Sequence, residues 1–166
     1  MRIRAAAVAD LASIAALFEE LDALHRDRLP DRFAARATAA RSDDSLRALI
    51  RGATGALLLA DAGGDVVGVI HLALRDTPAM PMFIPRRLAV VEDLVVAAGA
   101  RRRGIGRALM AAADRWARDR GAASVELTVY DVNHEATAFY RALGCEVLSH
   151  RLTRPLTPGG AAGPGD

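Results

Sequence analysis

The sequence predicts one mixed domain of the α/β class (α+β by some schemes), with helices around a largely antiparallel sheet. Three observations predict it. The chain has 166 residues, of which 52% are hydrophobic and 25% charged, which suits one domain with a sizeable core. Two apolar runs, residues 56–60 and 66–74, flank Asp61-Ala62-Gly63-Gly64-Asp65, a β-hairpin signature in which Gly supplies positive φ angles. Further on, an apolar run enters a Gly-bearing loop that opens an amphipathic helix.

Each element has its own signal. Residues 2–6 read as a first strand, and Asp10 as the N-cap of a helix with Leu11, Ile14, Leu17, Phe18 and Leu21 on one face. The pattern loosens over residues 24–41, around Pro30. Ser42, Asp43 and Asp44 then cap a helix carrying Leu46, Leu49 and Ile50. The Pro-punctuated stretch 77–85 predicts a mobile loop, and residues 88–96 predict a strand. The loop 97–103 precedes a helix over 104–120 with Ile105, Leu109, Ala112 and Trp116 on its buried stripe, ended by Gly121. Residues 125–130 alternate as a strand. Asn133 opens a short helix that turns Ala136, Phe139, Tyr140 and Leu143 inward and closes at Gly144. Residues 145–154 predict a last extended segment. The domain thus spans 1–154, and the Pro, Gly and Ala of 155–166 predict a disordered tail.

Composition excludes several chemistries. Lys and Arg together number 22 against 20 Asp and Glu, and every one of the 22 is Arg. Without Lys there is no Schiff base and no Walker A loop. The single Cys excludes an intrachain disulfide and a thiolate zinc site, and suits a reducing cytoplasm. Four scattered His predict no metal site. No apolar run reaches about 18 residues, so no membrane span is expected. The start lacks a signal-peptide apolar region, and a cytoplasmic location is expected. The Arg clusters lack interleaved aromatics, so no nucleic acid is expected as a partner.

The informative segment runs Glu92-Asp93-Leu94-Val95-Val96, then on to Arg101-Arg102-Arg103-Gly104-Ile105-Gly106-Arg107. Unpaired N–H groups at a helix start, with the helix dipole behind them, form an anion site suited to a pyrophosphate. Gly104 and Gly106 have no Cβ to hold a phosphate off the backbone. A dinucleotide-binding fingerprint needs a third Gly, but Leu109 stands there.

The flanks settle the reading. Arg101-Arg102-Arg103-Gly104-Ile105-Gly106 matches the Arg/Gln-x-x-Gly-x-Gly/Ala signature of the GCN5-related N-acetyltransferase (GNAT) family. Asn133, followed by a helix with Phe139-Tyr140 and then Gly144, matches the family's second signature. The chain resembles that family over residues 1–154, departing at Cys145, where an aromatic is common. The resemblance implies a GNAT-like mixed sheet in which two parallel strands splay apart to form a cleft for acetyl-CoA. The strands would be those ending near Val96 and spanning 125–130.

The resemblance also assigns roles. The backbone of Leu94, Val95 and Val96 would hold the pantetheine arm and polarise the thioester. Arg101, Arg102, Arg103, Gly104, Ile105, Gly106 and Arg107 would hold the pyrophosphate, largely through main-chain N–H groups. Asn133 would touch the cofactor near its sulfur. Tyr140 would be the general acid, since a phenol with a pKa of about 10 can protonate a departing thiolate. Glu92 is the candidate base, read as lying on the face of Leu94 and Val96, with Asp93 on the other. The implied reaction is direct acetyl transfer to a primary amine, without a covalent intermediate or a metal. A catalytically silent acetyl-CoA sensor of the same fold is the alternative. The acceptor would be a small-molecule or peptide amine, in a pocket shaped by loops 24–41 and 75–87. His25 falls in the first loop and reads as an exposed helix-end residue. A homodimer is common among relatives, though no residue here identifies an interface.

Overall fold

The structure is a computed structural model that describes residues 1–34, 41–52 and 55–156. The tail residues 157–166 lie outside the described residues. Two compact units emerge, Met1–Asn133 and His134–Asp166.

The first unit contains β1 (Arg2–Ala5), α1 (Leu11–Arg28), α2 (Asp43–Arg51), β2 (Gly55–Ala62), β3 (Asp65–Asp76), β4 (Arg87–Val96), α3 (Ile105–Arg118) and β5 (Ser124–Leu127). The strands form one sheet in the order β1-β2-β3-β4-β5. All neighbours are antiparallel except β4 and β5, which are parallel. This is the mixed, largely antiparallel sheet that the sequence predicts.

The hairpin turns where expected, with Gly63 at φ 77° and Gly64 at φ 104°. The Asp61 carboxylate accepts from the Gly64 N–H at 2.8 Å and steadies the turn. Ser42 caps α2 by accepting from the Ser45 N–H. Asp10 behaves differently from an N-cap. Its backbone is already helical, and its carboxylate turns back to accept from the Ala7 N–H at 2.8 Å. Arg4 grips both Asp10 oxygens at 2.8 Å, which holds the Asp10 carboxyl below the ordinary range. The residue closes a 3-10 turn before α1 and ties that turn to β1.

The sheet carries helices on both faces. Leu11, Ile14, Leu17 and Phe18 of α1 and Leu46 of α2 pack on Leu57, Leu59, Val69 and Val95. Full burial of such side chains is worth about 1.5–3 kcal/mol each. Gly68 precedes Val69 and so faces the other way. A Cβ there would lie 3.2 Å from Leu109 Cδ1 and 3.3 Å from Ile105 Cγ2, so α3 seats its first turns directly on this glycine. Gly68→Val should therefore cost roughly 1–3 kcal/mol by overpacking and displace the start of α3. Paired melting curves with and without CoA check this: a lower Tm and a smaller CoA-induced rise are expected.

Several boundaries depart from expectation. The β5 strand stops at Leu127 rather than 130, because its ladder with β4 ends at the pair Val91 and Leu127. At the ends of the loop expected over 77–85, Thr77 accepts from the Arg86 N–H and donates to the Ile84 carbonyl. The loop leaves from the Arg87 end of β4, about 17 Å along the strand from Glu92 at 3.3 Å per residue.

In the second unit α4 spans His134–Arg141. Gly144, at φ 87°, ends the turn that follows, and the Cys145 N–H donates to the Tyr140 carbonyl. Ala136, Phe139, Tyr140 and Leu143 are half-buried rather than fully enclosed. Among the described residues the expected extended segment 145–154 joins no ladder, and Val147, Leu148 and Leu152 are exposed.

Candidate active site

The site begins where the parallel pair comes apart. Residues Leu88, Ala89, Val90 and Val91 pair with β5, but residues 93–96 pair only with β3. Among the described residues, the other edge of 92–96 has no strand partner. The backbone of Leu94, Val95 and Val96 is therefore one lip of a split in the sheet.

A bulge sits at the base of that lip. His71 opposes Asp93 and Leu72 opposes Val91, so Glu92 has no partner across the ladder. The extra residue breaks strict alternation. Asp93 shares the α1 face with His71 and Val95, as expected of it. Glu92 does not continue the face of Leu94 and Val96 as simple alternation predicts. Its carboxylate accepts from Arg75 at 2.8 Å.

Beyond Val96 the chain turns through a 3-10 turn, Ala98–Ala100, into the Arg-rich loop. Arg102 takes φ 61° and Gly104 takes φ 78° as the N-cap of α3. The first helical hydrogen bond runs from the Ala108 N–H to the Gly104 carbonyl at 3.0 Å. The N–H groups of Ile105, Gly106 and Arg107 therefore lie ahead of the ladder, at the positive end of the helix dipole. Ile105 buries its side chain, so only its N–H is open to an anion. Arg101 is tied back: its Nε donates to the Val96 carbonyl at 3.0 Å, and its guanidinium lies 3.7 Å from Glu20. Arg102, Arg103 and Arg107 are exposed around the loop. The arrangement suits a pyrophosphate held by backbone and neutralised by Arg.

The second lip is the segment after β5, with Tyr130 and Asn133. One stripe of α1 reaches both lips through Asp22, His25 and Arg28, neighbours at i, i+3 spacing. Arg41 bridges Asp22 and Asp93, at 2.9 Å to each. His71 Nδ1 lies 3.2 Å from the other Asp93 oxygen. Burial pushes the Asp93 carboxyl up, but the hydrogen bonds from His71 and Arg41 outweigh it and leave it below the ordinary range. On the other lip, Arg28 donates to Asn133 Oδ1 at 2.7 Å. The His25 ring stacks on Phe33 at 4.9 Å and meets the edge of Tyr130 at 5.9 Å.

His25 is thus half-buried among aromatics rather than an exposed helix end. Sequence reasoning also missed Asp22, Arg28, Phe33, Arg41, His71 and Tyr130. The spacing of Asp22, His25 and Arg28 on α1 was a legible signal, whereas the bulge that turns Glu92 aside had none.

Tyr140 and Cys145 belong to the second unit. Burial pushes the Tyr140 phenol up to about 12, with a further push from Cys145, so its hydroxyl keeps its proton through neutrality. Among the described residues, no group of three or more His, Cys, Asp or Glu could hold a metal ion. No helix among them is long and apolar enough to cross a membrane.

A strand split above a Gly-bearing helix start is the arrangement found here, and comparison with known proteins gives its class, an acyltransferase. The chain matches the Acetyltransferase (GNAT) family over residues 16–145 and belongs to that family. It is 29% identical to the uncharacterized N-acetyltransferase YhfO of Bacillus subtilis (strain 168) over 146 residues, 88% of this chain and 90% of that one. The BH1408 protein of Bacillus halodurans, in crystal structures of mutants, superposes with a TM-score of 0.90 at 26% identity, over 95% of this chain and all of that one. An aminoglycoside N-acetyltransferase solved with CoA shares the fold, with a TM-score of 0.70 at 18% identity over 95% of this chain and all of that one.

Proposed function

We propose that this acyltransferase moves the acetyl group of acetyl-CoA to a primary amine by direct attack on the thioester, residues 1–154 acting as one catalytic domain. The observation that carries the reading is the unpaired β4 edge at 92–96, which leads straight into the αL-capped start of α3. The pyrophosphate would sit on the N–H groups of residues 102–107, with Arg102, Arg103 and Arg107 around it. The pantetheine would run along Leu94, Val95 and Val96. A backbone N–H of that edge would hold the oxyanion, fixed in place before the reaction begins. Asn133, already oriented by Arg28, would meet the cofactor near its sulfur.

Tyr140 would protonate the departing thiolate. For the amine's proton, the resemblance points to Glu92 working through water, although Arg75 holds that carboxylate. The relatives named N-acetyltransferases support an amine acceptor, and a small molecule or a peptide N-terminus both satisfy the chemistry.

The test is amine-dependent release of free CoA thiol from acetyl-CoA, measured against spermidine, kanamycin, L-lysine and a short peptide with a free N-terminus. Acetylated product should appear in step with thiol for at least one of them. Tight CoA binding with no transfer to any would point to a silent binding domain instead.

A further inference from the structure

We propose that His25 is the group that takes the proton from the acceptor's ammonium, and that the Phe33 and Tyr130 rings beside it form the wall on which that ammonium rests. The inference rests on the amine-transfer reading above and names the base within it. Five nearby groups could take a proton, and the three carboxylates among them are ion-paired, Asp22 with Arg41. Glu92 is ion-paired with Arg75. Asp93 is held between Arg41 and His71. His71 has its Nδ1 on Asp93, and its other ring nitrogen makes it the competing base. Among the described residues, no hydrogen bond or ion pair engages either ring nitrogen of His25, so a lone pair is available.

Position supports the same choice. His25 lies on the α1 stripe between Asp22, whose Arg41 bridge reaches β4, and Arg28, which reaches Asn133. It therefore stands over the mouth of the split rather than on either lip. Phe33 and Tyr130 meet each other at 5.6 Å as well as meeting His25. Aromatic faces attract a cation within about 6 Å, while the charges of Asp22 and Asp93 are offset by Arg41 between them. Burial lowers the His25 pKa most; Asp22 and Asp93 pull it up, while Arg41 and Arg28 push it down. The net is a lowered value, so the imidazole is neutral at neutral pH, as a base must be.

The step balances. The His25 lone pair takes one N–H proton of the ammonium. The freed nitrogen lone pair forms the N–C bond, and the carbonyl π pair moves to oxygen. Collapse of that oxyanion breaks the C–S bond, whose pair goes to sulfur. The second N–H proton passes to water, the thiolate takes a proton from the general acid, which regains one from water, and the imidazolium returns its proton to water.

The experiment compares the whole chain with H25Q, H25A and E92Q, using the amine from the panel above that the parent acetylates best. The parent kcat/KM should rise with pH along an acidic limb set below about 6.5, the ordinary imidazole value. H25Q should bind CoA like the parent, lose the limb and turn over about 10²-fold or more slowly. Added imidazole should restore part of the H25A rate, which no structural role would produce. A limb retained in H25Q with near-parental kcat, or a limb lost in E92Q and kept in H25Q, overturns the assignment while leaving amine transfer intact. A parent that acetylates no amine overturns both.

Discussion

Tyr140→Phe should keep its fold and its affinity for CoA, yet turn over roughly 10²- to 10⁴-fold more slowly, the usual worth of one positioned proton donor. The substitution removes only the hydroxyl and leaves the half-buried ring. The sign of the pKa shift strengthens the expectation. Burial favours the neutral phenol, which ionises only near 12. The donor form is therefore fully populated at neutral pH, and loss of the Tyr140 proton contributes no basic limb to the rate between about pH 7 and 10. A hydroxyl that merely bonded neighbouring backbone would be worth about 1 kcal/mol of stability and little rate. Turnover and Tm measured on one preparation separate the two roles. Near-parental turnover, where chemistry limits the rate, would remove Tyr140 from the mechanism.

Gly104→Asp should weaken acetyl-CoA binding by about 10²-fold or more, since a like charge brought against a bound anion costs several kcal/mol and each 1.4 kcal/mol is tenfold. The geometry makes this a test of charge as well as of shape. A Cβ at Gly104 would meet nothing within 4 Å, so the side chain has room. The φ of 78° strains any residue with a side chain, and Gly104→Ala carries that strain without the charge. Calorimetric titration with CoA should therefore rank Gly104, then Ala, then Asp. Arg102→Ala should cost less than the Asp variant, because on the proposed reading the N–H groups would hold the phosphates and the guanidinium would only add to them. An Asp variant that binds like the Ala variant would place the pyrophosphate elsewhere.

Much of this architecture was legible before any coordinates. The Asp61 to Asp65 turn needs Gly at two positive φ angles, and only glycine supplies them cheaply, so the hairpin announces itself. The stripe Ile105, Leu109, Ala112 and Trp116 is buried as its helical spacing requires. The Arg101 to Gly106 pattern marked the helix start because its chemistry is local. A left-handed glycine and an unpaired first turn depend on neighbours in sequence alone.

What sequence could not decide depends on partners far along the chain. Where β5 ends is a matter of when β4 parts from it, and no residue of 125–130 encodes that by itself. The bulge at Glu92 arises from the register between β3 and β4. It redirects one carboxylate and leaves the next on the face of His71. Gly68 reads as an ordinary strand glycine until α3 is laid across it. His25 reads as a solvated helix end until Phe33 and Tyr130 close around it. Local conformational preference and hydrophobic period determined the elements and the glycine-capped start of α3. The pairing of strands and the crossing of α1 over their split decided which side chains share a site, because register and burial are properties of two segments at once.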